Sequence, residues 1–227
     1  MTIANGNTPV PKKWSTYIAN PANKTSLQEF LGRMWTEIGK RVLTPGQQLV
    51  LAGCFTDPQD AVVVERGISR ALAHLKSDHE EADTRMMLHA ADCSHIYPRV
   101  VTESPDTDVA VLAVYVVTSL SWQQMWMKTG VRDKLRYIPI HALAQKLGPD
   151  LCCLLPTFHS LTGCDTTSGL YMIGKKSLKA MRDNTQKYAA LNQLGEDTPL
   201  TSDLSRTAEQ HLCSLYSTAE RAGTNKP

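Results

Sequence analysis

The sequence lacks several features by which a class of protein is often recognised. Its 227 residues carry almost no excess charge, since 24 lysine and arginine residues stand against 22 aspartate and glutamate residues. The chain as a whole is therefore not a basic nucleic-acid arm, although a local basic face remains open. The longest apolar run, residues 109–117, is too short to cross a bilayer, so no membrane partner is expected.

Secretory and disulfide signatures are also missing. No secretory leader follows Met1, and the six scattered cysteines include one adjacent pair but no Cys-x-x-Cys spacing. These absences favour reduced thiols in an intracellular protein. The 42% hydrophobic content is enough to build a core, and the length fits one domain with extensions. No internal repeat is visible.

The most informative stretch places two carboxylates after an apolar segment. Residues 98–102 predict a strand, and Asp106 and Asp108 follow it two residues apart. Buried carboxylates without a partner are costly, and a cation is the simplest partner because hard cations take carboxylate oxygens. Asp106 and Asp108 are therefore candidate metal ligands.

The remaining patterns divide the chain into three parts. Residues 1–24 are rich in asparagine, proline and lysine and lack periodicity, which predicts an extended lead-in. A capping-box pattern at Thr25 and an apolar helical stripe predict a domain that begins there with a helix and covers residues 25–183. Residues 184–227 are polar and predict an extension with one weak helix at about residues 209–216.

Strand and helix patterns alternate within the predicted domain. Strands are predicted over residues 48–55 and 60–65, and a hairpin is predicted from strands over residues 121–128 and 134–140. The run at residues 109–117 fits either a strand or a buried helix. Further helices are predicted over residues 139–147, 150–161 and 175–181. This alternation favours an α/β sheet with helices packed on it.

Three short acidic clusters lie at the ends of predicted elements. Their members are Glu80, Glu81 and Asp83 at a helix start, Asp106 and Asp108 after a strand, and Asp165 in a tight turn. Carboxylates that converge on one point repel each other unless a cation lies between them. Carboxylate ligands favour one or two Mg²⁺ or Mn²⁺ ions over zinc, and two such ions can serve phosphodiester cleavage.

At these clusters the sequence resembles the PIN-like nucleases of the flap-endonuclease and 5′-exonuclease type. Those enzymes carry an acidic-Ala-acidic element at a helix start, an Asp-x-Asp after a strand and a Gly-x-Asp turn. The matching stretches occur in the same order: Glu81-Ala82-Asp83, Asp106-Thr107-Asp108 and Gly163-Cys164-Asp165. Over about residues 8–216 the chain also resembles a multi-copy group of animal proteins that are associated with mobile elements.

The resemblance implies both a fold and an activity. The fold is an α/β, PIN-like three-layer sandwich with a mainly parallel central sheet flanked by helices, in an amino-terminally truncated chain that lacks the family's first strand. The activity is metal-dependent hydrolysis of phosphodiester bonds in DNA or RNA, and work on DNA implies the nucleus. The alternative is an inactive domain of this fold that only binds nucleic acid or protein, or has no independent function.

The resemblance also assigns roles to residues. Asp83, Asp106, Asp108 and Asp165 would be catalytic as metal ligands, and Glu81 would join them at one or two Mg²⁺ or Mn²⁺ ions. Lys175 and Lys176, in a stretch that resembles the family's DNA-binding helix-hairpin-helix, would contact the nucleic-acid backbone.

Each acidic cluster also has an interpretation that needs no ligand. Acids in the first turn of a helix, such as Glu81 and Asp83, are favoured by the helix dipole. Asp106 and Asp108 could form an Asx-turn between two elements. Asp165 could cap the turn that follows it. The basic residues Lys175 and Lys176 could belong to an ordinary solvated helix face.

Three further sets of side chains leave alternatives open. His89, Cys93 and His95 have partial zinc-ligand spacing, but Cys93 also lies on an apolar stripe. Trp122, Trp126 and Tyr137 could stack on bases or cover a sheet face. The last set suggests either a thiol nucleophile with its base or core packing: Cys152, Cys153, His159 and Cys164.

Overall fold

The computed structural model describes residues 6–79, 81–120, 124–165, 167–171, 178–183, 185–195 and 201–223. The chain divides into two compact units, Met1–Arg85 and Met86–Pro227. The predicted domain of residues 25–183 has different bounds and stays a prediction.

In its described part, the first unit contains two complete α-helices, the first turn of a third and an antiparallel three-stranded sheet. Its elements in chain order are α1 (Trp14–Ile18), α2 (Pro21–Val42), β1 (Leu49–Ala52), β2 (Ala61–Glu65) and β3 (Ile68–Ala71). The strands pair in the order β1-β2-β3, with Val50 opposite Val63 and Val63 opposite Arg70. Strands β1 and β2 confirm the strands predicted over residues 48–55 and 60–65.

Helix α2 lies close to the core of the first unit because of a glycine. The core consists of Leu51, Cys54 and Val64 with smaller apolar contributions around them. A Cβ atom added at Gly32 would overlap the carbonyl oxygen of Cys54 and lie 2.8 Å from its Sγ. Only a residue without a side chain fits there, so Gly32 sets the spacing between the helix and the chain that follows β1.

The start of α2 corrects two predictions. The helix begins at Pro21, because the side chain of Asn20 accepts hydrogen bonds from the backbone N–H groups of Ala22 (3.0 Å) and Asn23 (3.4 Å). An asparagine N-cap followed by proline outweighs the capping-box pattern at Thr25. The prediction that residues 1–24 are extended is therefore wrong, since α1 and the first turn of α2 lie within them.

Arg85 ties the loops of the first unit together. Its guanidinium donates hydrogen bonds to the carbonyl oxygens of Pro58 (2.7 Å), Ser77 (3.2 Å) and His79 (2.7 Å). The planar fork of arginine can reach several acceptors at once, which a lysine ammonium on a flexible stem does less well. Helix α3 (Ala82–Ser94) carries Arg85 in its first turn and continues into the second unit.

After the end of α3, the second unit continues with a β-α-β arrangement. Strand β4 (Arg99–Glu103) is followed by α4 (Thr107–Val117) and by β5 (Gln124–Thr129), which pairs parallel to β4 with Val101 opposite Trp126. Strand β6 (Arg136–Pro139) then pairs antiparallel with β5, as the hairpin prediction required.

Helix α4 settles the ambiguity at residues 109–117. The run is a helix whose side chains Val109, Ala113 and Val114 are almost completely buried. They pack with Met125, Met127 and Ile140 in one core cluster of this unit. The parallel pairing of β4 with β5 needs a crossover between them, and the apolar run supplies it as a helix.

The α/β class is confirmed, but the sheets are smaller and less parallel than expected. The described strands form two three-stranded sheets, in which the β4–β5 pair is parallel and the other three pairs are antiparallel. Short connections force antiparallel pairing, as in the turn between β2 and β3. The expectation of a mainly parallel central sheet is therefore wrong for the described residues. The PIN-like sandwich stays a proposal.

Helices complete the second unit. Their bounds are α5 (Ile140–Leu147), α6 (Pro149–Leu161), α7 (Leu178–Arg182), α8 (Thr185–Tyr188) and α9 (Ser202–Gly223). A second core cluster joins α6 to the carboxyl-terminal helices through Phe158, Met181 and Leu191. The weak helix expected near residues 209–216 is therefore part of a longer one. In the described part of the chain, no helix has the length and apolar character to cross a membrane.

Candidate metal centre

The junction between β4 and α4 places Asp106 and Asp108. Asp106 is the N-cap of α4, and its Oδ1 accepts a hydrogen bond of 2.9 Å from the backbone N–H of Asp108. The backbone N–H of Asp106 in turn donates to Ser104 Oγ at 3.1 Å. The Asx-turn interpretation is thus confirmed for Asp106. The positive end of the helix dipole stabilises both carboxylates, so their charge does not by itself require a cation.

Asp108 meets a histidine from a distant helix. Its Oδ1 lies 2.8 Å from Nε2 of His159, which stands in the last turn of α6. The side chains of Asp108 and His159 are only 25% and 13% exposed, so the contact is largely shielded from water. This hydrogen bond fixes one oxygen of the carboxylate and the plane of the imidazole.

A tight turn after α6 brings Cys164 to the same place. Gly163 has a φ of 100°, and a side chain there would strike the backbone of Gly169. Cys164 and Thr167 exchange backbone hydrogen bonds of 3.2 Å, and Thr167 Oγ1 donates to the carbonyl of Ser160 at 2.7 Å. The turn is thus anchored to the end of α6.

Together these elements form a group that could hold a metal ion. One ligand atom each from Asp108, His159 and Cys164 lies within 4.8 Å of the others, and all three residues are half-buried. No other such trio of histidine, cysteine or acidic residues occurs in the described ranges. Carboxylate oxygen, imidazole nitrogen and thiolate sulfur are all protein ligands of divalent transition metals.

The group contains only Asp108 of the five predicted carboxylates. Asp106 is half-buried two residues before it, and Asp165 is exposed directly after Cys164. Glu81 and Asp83 belong to the first unit, Glu81 just before α3 and Asp83 in its first turn. The shared metal site of these five residues therefore stays a prediction. Glu80, Lys175 and Lys176 lie outside the described residues.

The other cysteine and histidine sets do not form such a centre. Cys152 is completely buried, its Sγ lies 3.5 Å from the carbonyl oxygen of Ala144, and burial raises the pKa of its thiol. A thiol that stays protonated is a poor nucleophile. Over the residues that the structure describes, the ligand atoms of His89, Cys93 and His95 do not come together.

The sequence suggests Cys164 as a thiol and His159 as its base, but it does not join Asp108 to them. The sequence signal for this pair is the five-residue spacing that takes the chain from His159 at a helix end to Cys164 in a turn. Asp108 is 51 residues away from His159, and nothing in a single sequence joins positions so distant.

Comparisons with protein-family models, with curated proteins and with solved structures give no match for this chain.

Proposed function

We propose that the chain is a nuclease-like domain that uses a divalent cation to hydrolyse phosphodiester bonds of DNA or RNA. The convergence of Asp108, His159 and Cys164 carries the proposal, because it gives the predicted Asp-x-Asp element two further ligand types in one half-buried place. The acidic-Ala-acidic, Asp-x-Asp and Gly-x-Asp elements support it by their order along the chain.

The position of the group also supports the proposal. Asp106 and Asp108 follow the carboxyl end of β4, which is half of the parallel pair β4–β5. Ligand sites in α/β folds collect at the carboxyl ends of parallel strands. A divalent cation bound there would stabilise the negative charge that develops on phosphoryl oxygens during hydrolysis.

Asp108 and His159 each have a defined task in this proposal. Asp108 holds the cation, and His159 holds the Asp108 carboxylate in one orientation through the 2.8 Å hydrogen bond. Partners that orient a ligand in this way are worth about 10- to 100-fold in metal affinity or activity. Asp165, next to Cys164 within the anchored turn, would supply a further carboxylate.

The expected ion is Mg²⁺ or Mn²⁺, and the donor set distinguishes the two. Mg²⁺ takes oxygen ligands, so it would use Asp106, Asp108 and Asp165 with His159 as the orienting partner. The proximity of an imidazole and a thiol favours Mn²⁺ over Mg²⁺, because the thiol is a poor ligand for the harder ion. Zinc would be the ion of a site that used His159 and Cys164 directly.

A cleavage assay tests the proposal. Labelled single-stranded, duplex and flap DNA and single-stranded RNA would be incubated with the purified protein and Mg²⁺ or Mn²⁺. We expect cleavage that Asp108→Ala abolishes and that His159→Ala lowers about 10- to 100-fold. Asp203→Ala is the matched control, because the Asp203 carboxylate is 88% exposed on α9 and takes no part in the group.

Two results would contradict the proposal. Cleavage that Asp108→Ala leaves unchanged would show that the activity does not depend on this site. A folded wild-type protein that cleaves none of the substrates would favour the alternative, a domain of this type that binds nucleic acid or protein without catalysis.

A further inference from the structure

The hairpin of β5 and β6 concentrates positive charge on a nearly neutral chain. Residues 124–139 contain one carboxylate, Asp133, and four basic side chains: Lys128, Arg132, Lys134 and Arg136. The hairpin thus carries a net charge of +3, which exceeds the +2 of the whole chain. Residues 130–137 are all exposed and present +2 of this charge to solvent, whereas Lys128 is half-buried and pairs with Glu103 at 2.8 Å.

Beside these cations, the sheet β4-β5-β6 presents an aromatic face. Trp126 on β5 and Tyr137 on β6 line a shallow groove of about 400 Å³ together with Val101, Arg99 and Gln124. Side chains alternate along each strand, so the buried Met125 and Met127 mark the opposite, core-facing side. Val101 and Tyr137 are 48% and 54% exposed, which leaves the groove open.

The groove is held in place by its own contacts. Gln124 Oε1 accepts a 2.8 Å hydrogen bond from Arg99 Nε and lies 3.5 Å from the indole nitrogen of Trp126. The Trp126 ring also packs edge-on against His141, with ring centroids 5.3 Å apart. An aromatic ring fixed in this way loses little conformational entropy when a planar ligand stacks on it.

We propose that this groove, together with the basic residues of the hairpin, binds single-stranded nucleic acid. Unpaired bases would stack on Tyr137 and Trp126, and the phosphates would pair with Arg99, Lys134 and Arg136. Aromatic platforms flanked by cations are how many proteins hold single strands without regard to sequence. The inference rests on the proposed function for the class of its ligand, but binding on this face does not require cleavage.

The charge pattern favours nucleic acid over a membrane surface. The exposed apolar residues of the hairpin turn, Val131 and Leu135, flank Arg132, Asp133 and Lys134. Insertion of the turn into lipid would carry these three charges, including a carboxylate, out of water at high cost. A phosphate backbone instead meets the cations at the surface, while the bases reach the aromatic groove.

Binding is measured by fluorescence anisotropy of a labelled oligothymidylate in the presence of EDTA, so that cleavage does not interfere. We expect Tyr137→Ser to weaken binding about fivefold or more and Tyr137→Phe to leave it nearly unchanged, because the ring carries the stacking. Tyr171→Ser is the control, since Tyr171 is 81% exposed and lies outside the hairpin. Lys134→Gln should reduce the slope of log affinity against log salt by about 0.7.

Three results would overturn the proposal. These are equal binding by wild type and Tyr137→Ser, an equal loss in Tyr171→Ser, and tighter binding of anionic vesicles or of duplex than of single strands. Failure of the proposed function can be distinguished from failure of this binding site. The Asp108→Ala protein should not cleave the oligonucleotide but should bind it as tightly as wild type does. An Asp108→Ala protein that no longer binds the strand would place the nucleic acid at the metal centre instead.

Discussion

A buried histidine on α9 predicts that acid destabilises the second unit. His211 is completely buried, with its ring 4.5 Å from the ring of Tyr188 and 6.4 Å from that of Phe158. Neither ring nitrogen makes a hydrogen bond to a residue that the structure describes. Burial lowers the pKa of His211, and the neighbouring charge of Lys187 lowers this pKa further.

The direction of the pH effect follows from proton linkage. Between the lowered pKa of the folded state and the ordinary value of about 6.5, the unfolded chain binds more protons than the folded one. The free energy of unfolding therefore falls as the pH falls through this window, by at most about 1.4 kcal/mol per pH unit for one histidine. Above the ordinary value, the contribution of the neutral ring is complete.

The variant His211→Phe isolates this effect. It keeps an aromatic ring against Tyr188 and Phe158 but removes two buried nitrogen atoms that have no hydrogen-bond partner among the described residues. Burying an unsatisfied polar group costs about 1–3 kcal/mol, so we expect the variant to be about 1 kcal/mol more stable at neutral pH. We also expect a smaller loss of stability than wild type between about pH 7 and pH 5.

Urea denaturation, monitored by circular dichroism at several pH values, measures both the stability at neutral pH and its loss on acidification. His95→Gln serves as the control because His95 is exposed. If wild type and His211→Phe lost stability in parallel over this range, the reasoning from burial would be refuted.

Three further substitutions test the packing and the turns. Gly163→Ala should cost about 1 kcal/mol or more in thermal unfolding and weaken metal binding, because its φ is positive and backbone lies against it; unchanged metal affinity would contradict the turn's role. Gly32→Ala should lower the free energy of unfolding by about 1–3 kcal/mol, seen as a lower urea midpoint, because the added methyl group would overlap Cys54. This loss should exceed the gain from the higher helix propensity of alanine. Arg85→Lys should destabilise the first unit by about 2 kcal/mol in the same assay, since three carbonyls lose their shared donor; an unchanged midpoint would mean that water replaces it.

Local patterns were enough to predict much of the second unit. The strand before Asp106, the β5–β6 hairpin and the helix that ends near Leu147 all depend on periodicity and turn residues within a few positions. The apolar run of α4 could not be assigned from periodicity. Its N-cap decides in favour of a helix, because Asp106 satisfies the backbone N–H of Asp108.

The candidate site could be predicted only in part, because its contacts span distant segments. The position of Asp108 after a predicted strand was enough to identify it as a candidate ligand. Asp106 follows the same strand, but it also serves as the N-cap of α4. The contact of Asp108 with His159 depends on how α4 packs against α6, and a single sequence contains no record of that packing. In the first unit, the capping-box pattern at Thr25 gave a wrong start for α2. The helix begins four residues earlier at Pro21, where proline at the first helical position is the stronger signal.

A metal titration tests the central claim most directly. Binding of Mn²⁺ and Mg²⁺ to the wild-type protein would be measured by isothermal titration calorimetry, beside Asp108→Ala and the control Asp203→Ala. The metal centre predicts saturable Mn²⁺ binding, tighter than that of Mg²⁺, which Asp108→Ala abolishes and Asp203→Ala retains. Equal Mn²⁺ binding by wild type and Asp108→Ala, or no binding by the folded wild-type protein, would contradict it.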